Sequence, residues 1–145
     1  MSLFLDTGVI VAFANTRDPK HPEALRILDA ARRGEWGQVV TSDYVFDETV
    51  TLIMARTHRP DAAVRVGEFI LGTGPGGRVA DLAYVSPRVF LRSWALFSRL
   101  AARGLSFTDC TSVELMRSLG LNGIASFDGD FDGIVPRRTD AEEPP

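Results

Sequence analysis

At 145 residues, 45% of them hydrophobic, the chain is long enough to bury the core of one domain, which excludes a disordered protein. A net charge of −3 gives no global basic field, so a nucleic-acid partner must be held by a local patch or through metal ions. The single cysteine, Cys110, excludes an intramolecular disulfide. No leader pattern opens the chain, and no apolar run approaches the ~20 residues that span a bilayer. The expectation is a soluble cytoplasmic protein with no membrane partner. Of the 16 basic residues only Lys20 is lysine. Arginine suits bidentate phosphate contacts, and an arginine-favouring codon usage gives the same composition.

In chain order, Leu3 to Leu5 form a short apolar strand that stops at Asp6, and Gly8 to Ala14 a short helix. Pro19 to Ala31 reads as a helix with Ala24, Ile27, Leu28 and Ala31 on one face. Gln38 to Thr41 is a second strand. Ser42 or Asp43 then caps a helix to Thr57, and Pro60 opens another that runs to Leu71. Val79 to Val85 alternates loosely as a third strand. Ser86-Pro87 starts a helix ending near Gly104, and Thr108 caps one that Gly120 terminates after Leu119. Gly123 to Phe127 is a fourth strand and Gly133 to Pro136 a short fifth. Strands alternating with helices indicate a mostly parallel sheet of four to five strands, covered on both faces. Residues 1–138 make one domain, and 139–145 a mobile acidic tail.

Several motifs mislead. Gly72, Gly74 and Gly77 spell G-x-G-x-x-G, but a helix precedes them and a strand follows, the reverse of a dinucleotide-binding turn. Asp128, Asp130, Asp132 and Gly133 spell the opening of a calcium loop, whose twelfth position needs a bidentate Glu and here holds Thr139. One cysteine and two scattered histidines offer no zinc set. Cys110 reads as a small buried packing residue rather than a nucleophile.

What remains is a set of acids. Asp6 and Asp128 follow strands, while Glu48 and Asp109 lie in the first turns of helices. Each has an ordinary reading as a cap, a turn residue or a solvated helix acid. Three of them, Asp6, Asp109 and Asp128, stand directly beside segments that enter the core, and few cations lie nearby in sequence to pair with them. Carboxylates gathered at the carboxyl edge of a parallel sheet repel one another unless a hard cation binds them.

LDTGVIVAF, VFDETVTL, LSFTDCTSVELM and SFDGDFD, in this order from Leu3 to about Pro136, resemble the PIN domain, and within it the small toxin-type ribonucleases called VapC. The resemblance implies a three-layer α/β/α fold and RNA cleavage dependent on Mg²⁺ or Mn²⁺. It makes Asp6, Glu48 and Asp109 the acidic triad and Asp128 the fourth acid, with Asp130 in reserve. It places Thr7 and Thr108 as supporting hydroxyls. Many members carry a basic residue after the fourth acid, where this chain has Gly129. The resemblance also implies a small cognate antitoxin and a homodimer, for which RPDAAVRVGEFIL and SPRVFLRSWALFSRL offer apolar stripes that core packing explains equally well. Arg17, Arg56, Arg59 and Arg78 are candidates to rim the pocket and hold RNA. Two other readings stand beside this one: a catalytically silent PIN-like adaptor that binds RNA or protein, and a metal-dependent DNA nuclease.

Overall fold

The computed structural model describes residues 1–139, so all of the expected tail but Thr139 lies outside the described residues. The elements are β1 (Ser2–Leu5), α1 (Thr7–Ala14), α2 (His21–Arg32), β2 (Gln38–Ser42), α3 (Asp43–Thr57) and α4 (Pro60–Leu71). They continue as β3 (Asp81–Ala83), α5 (Pro87–Leu100), α6 (Phe107–Leu119), β4 (Gly123–Ala125) and β5 (Arg137–Arg138). The five strands form one sheet in the order β3-β2-β1-β4-β5, and every pairing is parallel. Parallel neighbours need crossovers, and right-handed crossovers put α1 to α4 on one face while the reversed step from β3 to β4 carries α5 and α6 to the other. The result is the expected α/β/α sandwich. Leu3, Phe4, Leu5, Val39, Val40 and Ile124 form its buried middle layer.

The strand order reverses between β1 and β4, and such a switch point opens a crevice at the carboxyl ends of the two strands. The register aligns Leu5 with Ala125, so the next residues, Asp6 and Ser126, leave the sheet side by side. No helix is long and apolar enough to cross a membrane among the described residues.

Local hydrogen bonding moves several boundaries. α2 starts at His21 rather than Pro19, because the Asp18 carboxylate accepts the Lys20 N–H at 2.8 Å and its carbonyl accepts from His21, holding 18–20 in a turn. β3 is shorter than Val79 to Val85, since it pairs only with β2 and the Val85 N–H goes instead to Asp43 Oδ1 at 3.0 Å. The fifth strand lies at Arg137–Arg138, not at 133–136, whose amides at Ile134 and Val135 turn back to the Phe131 carbonyl. β4 ends at Ala125, two residues before Phe127. The cap of α6 is Ser106 and not Thr108: Ser106 Oγ accepts the Asp109 N–H at 3.0 Å, and Asp109 Oδ2 accepts the Ser106 N–H at 2.8 Å. This reciprocal pair satisfies two orphan donors of the first turn. As expected, Ser42 caps α3, Ser86 caps α5, and Gly120 closes α6.

Candidate functional site

Asp6 is the residue at which β1 becomes α1, and its side chain is almost fully buried. The Ser126 hydroxyl donates to Asp6 Oδ2 at 2.7 Å and accepts the Asp128 N–H at 3.0 Å, tying the end of β1 to the loop after β4. Glu48 comes from α3, in its second turn rather than its first. Asp109 comes from the first turn of α6, with one carboxylate oxygen engaged by the cap. All four acids line one cavity of about 460 Å³, with Thr7, Gly8, Val11, Leu52, Arg56, Gly104, Ser106 and Phe127.

The electrostatics of the cavity follow from burial and crowding. Burial raises the Asp6 pKa from 3.8 to about 7; the negative charges of Asp109 and Glu48 push the same way, while the Ser126 hydroxyl and the Thr7 N–H oppose them. Burial also raises Asp109, with the Ser106 bonds opposing and Asp128 and Glu48 adding to the rise. Thr7 Oγ1 is a buried oxygen with no hydrogen-bond partner. An all-oxygen donor set, mutually repelling carboxylates and an unsatisfied hydroxyl fit a hard cation such as Mg²⁺. Among the described residues no three His, Cys, Asp or Glu side chains are already close enough around one point to hold an ion. Mg²⁺ does not demand that, because it keeps several waters and is commonly bound through one or two carboxylates.

The remaining sequence candidates divide. Asp130 is outside the cavity lining: its N–H donates to Asp128 Oδ1 at 2.9 Å, and its carboxylate lies over Gly104. Gly104 has φ +91, a left-handed backbone that favours glycine; a Cβ there would stand 2.8 Å from Asp130 Oδ2, an exposed side-chain end that can turn aside. Thr108 is also absent from the lining; its carbonyl accepts from Thr111 and Ser112 inside α6. Arg56 lines the cavity. Arg17, Arg59 and Arg78 do not; Arg59 pairs with Asp61 at 2.8 Å, and Arg78 packs beside Gly72. Thr7 lines the cavity, while the hydroxyls that hydrogen-bond to the acids themselves belong to Ser126 and Ser106. The signal for Ser126 was a polar residue closing a buried strand; for Ser106 it was S-x-x-D, a capping box with Asp at its fourth position. Cys110 is buried, as expected. The loop from Asp128 to Gly133 is fastened by Arg137, which meets Asp132 at 2.7 and 2.9 Å, so Asp132 is engaged there and not on an ion.

A parallel sheet whose switch point brings four acids to one cavity defines an α/β protein with an acidic site. The chain belongs to the PIN domain family, which it matches over residues 3–135. It is 27% identical to a VapC ribonuclease of Archaeoglobus fulgidus over 132 residues, covering 90% of this chain and 80% of that one. It is 33% identical over 134 residues to the 23S rRNA-specific endonuclease VapC20 of Mycobacterium tuberculosis, covering 89% of this chain and 91% of that one. The crystal structure of that M. tuberculosis toxin, described as cleaving the sarcin-ricin loop, superposes with a TM-score of 0.76 and 31% identity, covering 89% of this chain and 92% of that one. VapBC2 of Rickettsia felis, bound to a promoter DNA fragment, shares the fold at TM-score 0.66 and 12% identity, covering 95% of this chain and 98% of that one.

Proposed function

We propose that this protein is a metal-dependent endoribonuclease and the toxin of a toxin–antitoxin pair. One observation carries the reading: Asp6, Glu48, Asp109 and Asp128 arrive from four separate elements at one cavity, where burial and repulsion hold the Asp6 pKa up at about 7. Asp6, Glu48 and Asp109 would hold Mg²⁺ or Mn²⁺, with Thr7 as a neighbouring oxygen. When bound, the ion supplies Lewis acidity toward the phosphate and makes water a stronger acid near neutral pH. Ser126 fixes the Asp6 carboxylate by its hydrogen bond, and the capping box fixes Asp109. Asp128, anchored through its own N–H to Ser126, would orient the attacking water and accept its proton. In-line attack with departure of the 3′-oxygen leaves a 5′-phosphate and a 3′-hydroxyl. It requires neither a ribose 2′-OH nor a histidine. Both histidines support this by lying elsewhere: His21 Nδ1 bonds the Ala12 carbonyl, and His58 ends α3.

The named target of the M. tuberculosis relative makes 23S ribosomal RNA the first substrate to try. An exposed apolar groove between α3 and α4, lined by Val50, Met54, Pro60, Ala63 and Val64, supports docking of a cognate antitoxin. Exposed Phe90, Leu91 and Trp94 on α5 support pairing of two copies. The test incubates wild type and Asp6→Asn with 23S RNA and with single-stranded DNA, in Mg²⁺ or chelator, and sequences the fragment ends. RNA cleavage by wild type in Mg²⁺ alone is the expected result. Cleavage that persists in chelator, or in the Asp6→Asn protein, overturns the reading.

A further inference from the structure

We infer that Arg56 forms a phosphate-binding subsite at the far end of the acidic cavity, holding the RNA strand at a nucleotide beyond the bond that is cut. The inference rests on the endoribonuclease reading above and deepens it. Glu48, Leu52 and Arg56 lie four residues apart on α3, and all three line the cavity, so one stripe of this helix forms its wall. Eight residues of helix advance about 12 Å, which separates the Arg56 backbone from that of Glu48 by more than two turns. The cavity therefore has two electrical ends: carboxylates at the sheet edge, and a cation at the end of α3, with Leu52 between.

Arg56 is the only cation among the cavity-lining residues, and among the described residues it forms no ion pair or side-chain hydrogen bond. Several other arginines are occupied, Arg33 by Glu35, Arg59 and Arg65 by Asp61, Arg117 by Glu114, and Arg137 by Asp132; others, such as Arg17 and Arg78, are likewise unpaired among the described residues but do not line the cavity. Among the described residues the Arg56 guanidinium is unpaired although it shares the cavity with four acids, and so is free to take a ligand. A polyanion entering the cavity needs this arrangement. Its scissile phosphate meets the acidic end, where only a metal ion makes it welcome, and a second phosphate finds an unpaired fork of donors suited to bidentate contact. The span fixes where along the strand the second contact falls, so binding should reward substrates long enough to reach it.

The experiment compares wild type, Arg56→Ala and Arg56→Lys on an RNA dinucleotide and on a longer single-stranded RNA of mixed sequence, in Mg²⁺. On the longer RNA, Arg56→Ala raises KM by roughly tenfold with a smaller change in kcat, as for a lost charge-assisted contact. The slope of log affinity against log salt falls by about 0.7, as expected for one phosphate contact on a single strand. Arg56→Lys restores that slope but only part of the KM. The loss on the dinucleotide is distinctly smaller. Equal losses on both substrates overturn the subsite, as does an Arg56→Ala protein indistinguishable from wild type. A lowered melting temperature with equal losses assigns Arg56 to the end of α3 alone. Binding of the longer RNA, fluorescein-labelled, is also read by anisotropy in Asp6→Asn with and without Arg56→Ala. If wild type cleaves no RNA, this arm still tests Arg56, and the nuclease reading fails separately.

Discussion

Asp6 and Ser126 are 120 positions apart in sequence and joined by a 2.7 Å hydrogen bond at the end of two neighbouring strands. That bond exists because Leu5 and Ala125 share a register, and it gives the most buried acid of the cavity its fixed orientation. Ser126→Ala removes the donor that favours the Asp6 carboxylate and leaves the Asp128 N–H without its acceptor. The acidic limb of the pH–rate profile is expected to move to higher pH. The fold is expected to lose about 1–2 kcal/mol in urea melts. A profile identical to wild type would remove Ser126 from the site.

The Asp6 proton makes stability depend on pH in an uncommon direction. Its folded pKa of about 7 lies above the ordinary 3.8, so between those values the folded chain holds a proton that the unfolded chain has released. Stability of the metal-free protein therefore falls as pH rises through this window and levels off above it, by up to roughly 4 kcal/mol. Asp109, raised by burial, acts in the same sense. Thermal melts in chelator from about pH 5 to about pH 8 read this trend. Added Mg²⁺ should flatten it by stabilising the protein most at the alkaline end. A metal-free protein that gains stability across the window contradicts the assignment.

Asp6→Asn keeps the shape and still accepts from Ser126, but removes the charge. Cleavage is expected to vanish while the metal-free protein is as stable as wild type, or more stable near pH 8. A clear fall in its melting temperature would make Asp6 a structural residue at the start of α1.

His58 ends α3 with φ 54, in the left-handed region that only glycine adopts freely, and no other non-glycine residue among those described does so. His58→Gly is expected to stabilise the fold by about 0.5–1 kcal/mol without changing RNA cleavage. Differential scanning calorimetry beside an activity assay checks both halves.

The alternation of strands and helices was legible because periodicity and capping agree locally, and α4 ran from Pro60 to Leu71 as read. Asp6, Asp109 and Asp128 were legible because each stands at an element end beside apolar residues; Glu48, in the second turn of α3, was legible only through the motif VFDETVTL. What sequence could not supply was long-range geometry. The shift of the cap from Thr108 to Ser106 rests on a reciprocal bond with Asp109. The role of Ser126 needs the register of β1 on β4. Four arginines looked alike in sequence, and only the end of α3 at Thr57 and ion pairing separate Arg56 from Arg59, three residues away. The fifth strand was misplaced because the Phe131 carbonyl captures two amides that the pattern had assigned to a ladder.

The switch-point construction has a consequence for synthesis. The cavity takes its walls from Asp6 near the start of the chain and from Asp128 near its end, and β1 completes its central position only when β4 pairs with it. A nascent chain thus holds an incomplete set of acids until the segment carrying Asp128 has been translated. Fragments that stop before Asp128 are expected to lack the fourth acid of the cavity, so β1 and β4 bring the site together only when both are present.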